Sequence, residues 1–199
     1  MTEIPFSFFN NRYAAAVCWI FGRGLTRFDY KEIEGIAAGP VMFLNDAVDL
    51  EKHMTTPHSF FFATDRPVVD AWIPNVRSVY VSRLWDKVDF SVCRRFTKSV
   101  HVNHPDESLL LQTRDQLADS RKLYQSGGTV HTALHFAWFM GCRGAYMVGC
   151  DGLNLGYDPR LPQRHQQKAG NVFGDIRRRQ DEIAAILKLP IVYIGSPHV

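Results

Sequence analysis

The chain has 199 residues, of which 46% are hydrophobic and 22% are charged, and its formal net charge is +3. This size and composition predict one ordinary globular domain over residues 1–199 and exclude the strongly basic surface of a nucleic-acid-binding protein. No apolar run approaches the roughly 20 residues that cross a bilayer, and the amino-terminal sequence lacks the features of a signal peptide, so we expect a cytoplasmic protein. The four cysteines include no CxxC pair, which disfavours a zinc site or a disulfide framework.

The first half of the chain alternates short apolar runs with polar connections, a pattern that predicts strands joined by crossovers. A short helix is expected within 25–37 and another over 46–54, while most of 86–124 is ambiguous apart from a possible strand at 99–103. The apolar runs that we interpret as strands are 14–22, 40–45, 59–65 and 78–85.

The most informative segment is 127–151, which predicts a glycine turn, a helix, a glycine stop and a buried strand that ends at Asp151. Gly127 and Gly128 allow close approach of the backbone, and Thr129 is the expected N-cap residue. The first amides of the helix would then face an anion, for which a phosphate is the best candidate.

Apolar residues of this helix recur at helical spacing, and Gly141 stands where a helix C-terminal glycine is expected. His131 and His135 are four residues apart and could form half of a zinc site. Because no glutamate follows the first histidine as in HExxH, partly buried structural histidines are the favoured interpretation, and no metal site is predicted. The apolar stripe consists of Val130, Ala133, Leu134, Ala137 and Trp138.

The segment after Asp151 is long and rich in glycine, proline, asparagine and glutamine, so a mobile lid is expected at about 152–173. A helix follows over 175–188, in which Arg177, Arg178 and Arg179 could form an anion patch. The solvated face is the favoured interpretation, because Arg177 and Arg178 are spaced to pair with Asp181 and Glu182. The run at 190–195 predicts the last strand.

This alternation of strands and helices predicts an α/β protein with a single doubly wound, mostly parallel sheet covered by helices on both faces. In such a Rossmann-like sheet the carboxyl ends of the strands meet at one edge, where ligands bind. Polar residues follow four of the predicted strands and are therefore expected to converge on one crevice, namely Gly22, Arg23, Gly24, Thr26, Asn45, Asp65 and Asp151.

Several roles are open to these residues. Gly22, Arg23 and Gly24 could bind a pyrophosphate, but the loop lacks the third glycine of the dinucleotide fingerprint and could equally be a turn without a ligand. Asn45 offers amide groups for a ribose or a base edge, or it caps the next helix. Asp65 and Asp151 could be general bases, ligands for a hydroxyl or a metal, or ordinary helix caps.

His165 lies within the predicted lid, where its imidazole could close over the crevice and act as a general base near neutral pH. A solvated loop histidine is the alternative. Tyr157 and Arg164 flank it and could contact a phosphate or a carboxylate.

The ordered segments FGRGLT, FLND, ATD, GGTVHTALHFAWFMGCRGAYMVGCD and IVYIGSP resemble one superfamily. It contains the bacterial CMP-sugar glycosyltransferases, meaning sialyltransferases and Kdo transferases, and the MptE-like pterin diphosphokinases. The resemblance spans nearly the whole chain, but only the 127–151 block is specific, and GRGLT replaces the GNGPS-like loop of the sialyltransferases. It implies that His165 is the catalytic base and that the nucleotide is held by Gly22, Gly24, Thr26, Asn45, Gly127, Gly128 and Thr129.

The resemblance further implies a metal-independent transferase that moves an acidic sugar from a CMP donor to a glycan acceptor of a surface polysaccharide or lipopolysaccharide. Such an enzyme would work in the cytoplasm or at the inner face of the inner membrane, and a homo-oligomer is compatible with the sequence. Two alternatives remain open: an MptE-like transfer of pyrophosphate from ATP, with Mg²⁺ held by Asp65 and Asp151, and a nucleotide-binding relative without catalytic activity.

Overall fold

The computed structural model of the chain describes residues 2–3, 6–36, 39–54, 58–63, 66–83, 98–102, 128–151, 156–162 and 172–196. Within these ranges no helix combines the length and the apolar character that crossing a membrane requires. The strands in chain order are β1 (Thr2–Glu3), β2 (Val17–Phe21), β3 (Val41–Leu44), β4 (Ser59–Phe62), β5 (Val79–Arg83), β6 (Lys98–Val102), β7 (Gly144–Val148) and β8 (Ile191–Ile194).

Three α-helices and three 3₁₀ helices accompany these strands in the part of the chain that is described. The α-helices are α1 (Arg66–Trp72), α2 (Thr129–Phe139) and α3 (Val172–Leu187). The 3₁₀ helices are Phe6–Phe9, Tyr30–Gly35 and Asn45–His53.

All eight described strands belong to one sheet in the order β1-β6-β5-β4-β3-β2-β7-β8, and every neighbouring pair is parallel. From β2 the chain moves outward strand by strand to β6 and then returns to place β7 on the other side of β2. Phe21 at the end of β2 is therefore in register with both Phe43 of β3 and Val148 of β7. This doubly wound topology confirms the predicted α/β fold and puts its switch point between β2 and β7.

The sheet has a hydrophobic core on each face. Ile20 of β2 belongs to the core that α2 and α3 cover, whereas its neighbour Phe21 belongs to the core formed with α1 and two of the 3₁₀ helices. Met42 and Phe43 of β3 divide in the same way. Because successive side chains of a strand point to opposite faces, a sheet covered on both sides needs continuous apolar strands, which is the pattern in the sequence.

The two ends of α2 differ in how well the sequence predicted them. Gly128 is the N-cap, with φ −144° and ψ 136°, and Thr129 is already helical, so the predicted N-cap role of Thr129 is wrong. At the other end Gly141 has φ +82° and donates its amide to Trp138, while the amide of Cys142 bonds to Ala137. This pair of bonds is a Schellman motif, and it confirms the predicted glycine stop.

Other elements depart from the sequence prediction in their limits or type. The crossover after β3 is a 3₁₀ helix over Asn45–His53, and α3 begins at Val172, three residues before the predicted 175. Neither β1 nor α1 was predicted. With two and seven residues respectively, they are too short to show a hydrophobic period.

Candidate functional site

The loops that follow β2 and β7 pack backbone against backbone at the switch point. The amide of Gly24 donates to the carbonyl of Gly149 and that of Gly22 to the carbonyl of Val148, both at 2.8 Å. A Cβ on Gly24 would lie 2.7 Å from the Gly149 oxygen, and one on Gly22 would approach the same atom more closely still. The close packing of the two loops therefore explains why glycine is required at positions 22 and 24. Their predicted contact with a pyrophosphate stays a prediction.

Arg23, between these glycines, forms a buried ion pair with the residue that follows Asn45. Its Nη1 donates to Oδ2 of Asp46 at 2.8 Å, and Nε1 of Trp72 donates to Oδ1 of the same carboxylate at 2.8 Å. The guanidinium also lies 4.1 Å from the centroid of the Tyr157 ring, an arrangement that favours cation–π attraction. The Asp46 carboxylate thus joins the β2 loop, through Arg23, to α1, through Trp72.

Asn45 has an unusual conformation at the carboxyl end of β3. Its φ is +54°, in the left-handed region, and its Oδ1 is buried without a hydrogen-bond partner among the residues described. The capping alternative is wrong, because Leu44 occupies the N-cap position and Asn45 is itself the first residue of the 3₁₀ helix. Backbone strain together with an unsatisfied polar atom is typical of functional sites.

Asp151 lies at the same edge, after β7. Its carboxylate is buried and accepts a hydrogen bond from the hydroxyl of Ser196, which follows β8, at 3.0 Å. Burial, and secondly the charge of Asp151, raise the pKa of the adjacent Cys150 thiol far above its ordinary value, so Cys150 is not an activated nucleophile.

The hydroxyl of Thr26 forms hydrogen bonds with backbone groups of the protein. Its hydroxyl donates to the carbonyl of Gly195 at 3.0 Å and accepts the amide of Phe28 at 3.1 Å, which ties the β2 loop to the end of β8. A hydroxyl carries one hydrogen, so the predicted donation from Thr26 to a ligand would require this bond to Gly195 to break.

Residues 156–162, within the predicted mobile lid, are held against the β2 loop. Tyr157 forms an antiparallel bridge with Gly24, and the amide of Asp158 donates to the carbonyl of Arg23 at 2.7 Å. The rest of the predicted lid, residues 152–155 and 163–173, lies outside the described residues except for the first two residues of α3.

The carboxylate of Asp158 is the centre of these contacts. It is fully buried and accepts hydrogen bonds from the hydroxyl of Tyr30 at 3.1 Å and from Nη2 of Arg160 at 2.6 Å. Arg160 also donates to the carbonyls of Thr26 and Phe28. Burial by itself would raise the pKa of Asp158, but the hydrogen bonds and charge of Arg160 outweigh it and hold the pKa below its ordinary value.

The two histidines of α2 are buried more deeply than the sequence predicted. His131 and His135 are 0% and 1% exposed, because α3 packs on this helix, and Nε2 of His131 lies 3.2 Å from the carbonyl of Ile176 in α3. In the described part of the chain, no group of three or more histidine, cysteine, aspartate or glutamate side chains is placed to hold a metal ion.

Six of the predicted site residues are thus brought to one edge of the sheet, and three cannot be located. His165, Asp65 and Gly127 lie outside the described residues, so their roles stay predictions. Gly128 and Thr129 form the start of α2, and their contact with a phosphate stays a prediction as well. The residues that the structure brings together are Gly22, Arg23, Gly24, Thr26, Asn45 and Asp151.

Arg177 of α3 belongs to the same edge, although the sequence favoured a solvated helical ion pair over an anion patch for this residue. That pair is confirmed, with Nε 3.2 Å from Oδ2 of Asp181. In addition, the guanidinium stacks 3.5 Å from the centroid of the Tyr193 ring, and Nη1 donates to the backbone carbonyl of Asp151 at 3.4 Å. Neither contact could be read from the sequence, because both depend on how β8 and the β7 loop lie beside α3.

Comparison with known proteins gives no further assignment: no protein-family model matches the chain, and no curated protein matches it. The fold and the contacts at the carboxyl edge of the sheet are therefore the basis on which a function can be proposed.

Proposed function

We propose that the protein is a nucleotide-dependent transferase that moves an acidic sugar from a CMP donor to a glycan acceptor. The observation that carries this proposal is Asn45, whose strained backbone presents a buried, unpartnered amide oxygen at the ligand edge of a doubly wound sheet. A ribose hydroxyl or the amino group of cytosine would donate the hydrogen bond that this oxygen lacks. Ligands of such sheets bind at the switch point, beside which Asn45 lies.

The transfer would proceed by attack of an acceptor hydroxyl on the anomeric carbon of the donor sugar. The bond between that carbon and the phosphate oxygen breaks, and CMP leaves with the bonding electrons. His165 would take the proton of the attacking hydroxyl, and the first amides of α2 would stabilise the charge on the departing phosphate.

The described carboxylates of this edge already have hydrogen-bond donors within the protein. Both oxygens of Asp46 accept hydrogen bonds, from Arg23 and Trp72, and Oδ2 of Asp151 accepts one from Ser196. Transfer of pyrophosphate from ATP would instead need Asp151, with Asp65, to coordinate Mg²⁺.

The acceptor would be a surface polysaccharide or lipopolysaccharide glycan at the cytoplasmic face of the membrane.

A nucleotide panel with and without Mg²⁺ tests the proposal. We expect CMP and CMP-sugars to raise the melting temperature without Mg²⁺, because a ligand at 100 times its Kd stabilises the native state by about 2.7 kcal/mol. Incubation with a CMP-sugar and a glycan acceptor should release CMP.

The other outcomes separate the alternatives. A preference for ATP with strict dependence on Mg²⁺ and release of AMP would identify a diphosphokinase. Binding of CMP without turnover would identify a non-catalytic relative, and the absence of any nucleotide-induced shift would contradict the whole proposal.

A further inference from the structure

We propose that Arg177 is an oxyanion-binding residue, and that the ends of β7 and β8 form with it a subsite for the negatively charged group of the ligand. The inference rests on the proposed function, since it assigns a cation to the same ligand edge. The oxyanion is either the phosphate of the nucleotide or the carboxylate of an acidic sugar, which have the same hydrogen-bonding chemistry.

The orientation of the Arg177 guanidinium is fixed on two sides. Its plane lies over the ring of Tyr193, with 3.5 Å between the guanidinium carbon and the ring centroid, and Nε is bonded to Asp181. Tyr193 is itself held, because its hydroxyl donates to Oε1 of Gln180 at 2.9 Å. A guanidinium with a preset orientation loses little conformational entropy when it binds a ligand.

The position of Arg177 is that of a ligand-binding group. Its side chain is 37% exposed, so it reaches solvent, and its Nη1 lies 3.4 Å from the backbone carbonyl of Asp151 at the carboxyl end of β7. The Asp151 carboxylate, by contrast, is buried and bonded to Ser196. The Arg177 cation therefore lies at the carboxyl edge of the sheet, on the α3 side.

The guanidinium also has donors to spare. Within the described residues, Nε donates to Asp181 and Nη1 to Asp151, whereas Nη2 has no partner. The fork of a guanidinium matches two oxygens of a phosphate or carboxylate, and a lysine ammonium cannot reproduce this geometry. Nη2 and the second hydrogen of Nη1 are the donors that we assign to the ligand.

Calorimetric titration of Arg177→Ala and Arg177→Lys with three probes tests the inference. The probes are cytidine, CMP and CMP-N-acetylneuraminate, which differ by the phosphate and then by the acidic sugar. Arg178→Ala is the matched control, because it removes the same charge at the next residue of the helix. The Arg178 side chain is more exposed than that of Arg177 and pairs with Glu182. Melting temperatures of all variants identify any that fail to fold.

If Arg177 binds the phosphate, Arg177→Ala lowers the affinity for CMP about tenfold and leaves that for cytidine unchanged, because a hydrogen bond to a charged group is lost. If it binds the carboxylate, only the affinity for CMP-N-acetylneuraminate falls. In both cases Arg177→Lys retains part of the affinity, and Arg178→Ala resembles the wild type.

Two results would overturn the inference while leaving the proposed function intact. One is an equal loss for cytidine and CMP, which would indicate a structural role for Arg177, and the other is no loss for any probe. A wild-type protein that binds none of the three probes would instead contradict the proposed function, and the inference would fail with it.

Discussion

Asn45 combines a left-handed backbone with a buried amide oxygen that has no partner among the described residues. The sequence placed this residue at a strand end, because FLND follows a continuous apolar run. Its conformation could not be predicted, because nothing in the sequence FLND requires a positive φ at this residue. Asparagine tolerates this region better than most residues, but glycine tolerates it best.

Asn45→Gly therefore separates the amide from the backbone conformation. We expect the free energy of unfolding to change by less than about 1 kcal/mol, because glycine adopts φ +54° without strain. The affinity for CMP, measured by calorimetry, should fall about fivefold, as expected for one lost hydrogen bond.

Asn45→Ala is the matched comparison. It removes the same amide but keeps a Cβ in the left-handed region, which should cost about 1 kcal/mol of stability in a denaturant titration. Unchanged CMP affinity in Asn45→Gly would show that this amide does not contact the nucleotide.

At the scale of elements, the apolar strands were predictable and the connections were not. The predicted run 40–45 contains the observed strand Val41–Leu44, and the strand predicted to end at Asp151 overlaps the observed strand Gly144–Val148. Both could be predicted because a strand buried on both faces has a continuous hydrophobic sequence. The segment 156–162 was read as part of a mobile lid from its composition. Asp158, which holds it against the β2 loop, finds its partner Tyr30 far away in the sequence.

The lowered pKa of Asp158 predicts a specific loss of stability in acid. The native state keeps this carboxylate ionised to lower pH than the unfolded state does, so its contribution is complete above the unfolded pKa of about 4 and disappears as the pH falls through the native value. Asp158→Asn should be less stable at pH 7, and its stability should vary less between pH 5 and pH 2.

Urea titrations across that pH range measure the effect. Glu32→Gln is the control, because it removes an exposed carboxylate of the 3₁₀ helix Tyr30–Gly35 and leaves the hydrogen bonds of Asp158 in place. Parallel curves for Asp158→Asn and the wild type would show that Asp158 does not contribute to acid unfolding.

For the whole molecule, the sequence predicted that polar strand ends meet at one edge, because the carboxyl ends of parallel strands share it. The strand order could not be predicted from the sequence. It is this order that makes β2 and β7 neighbours and so brings the glycines of their loops into contact. The same order brings Arg23 and Asp46 together across the ends of β2 and β3.

The Arg23–Asp46 pair is buried, with 8% and 0% of the two side chains exposed. Asp46→Asn should therefore destabilise the protein by about 3 kcal/mol, because it leaves the Arg23 charge buried without its counter-charge. Adding Arg23→Met removes the stranded charge, so the double variant should be more stable than Asp46→Asn alone in guanidinium titrations. A double variant whose loss equals the sum of the two single losses would show that the pair is not coupled.

The pairing of β2 with β7 sets an order of events during synthesis. Val17 pairs with Gly144 and Phe21 with Val148, so β2 cannot pair with its second neighbour until residues 144–148 have been synthesised. Contacts between segments so distant in sequence form slowly, since closing a long loop costs entropy before any contact repays it. Until translation supplies β7, the edge of β2 that faces it in the native sheet has no partner strand.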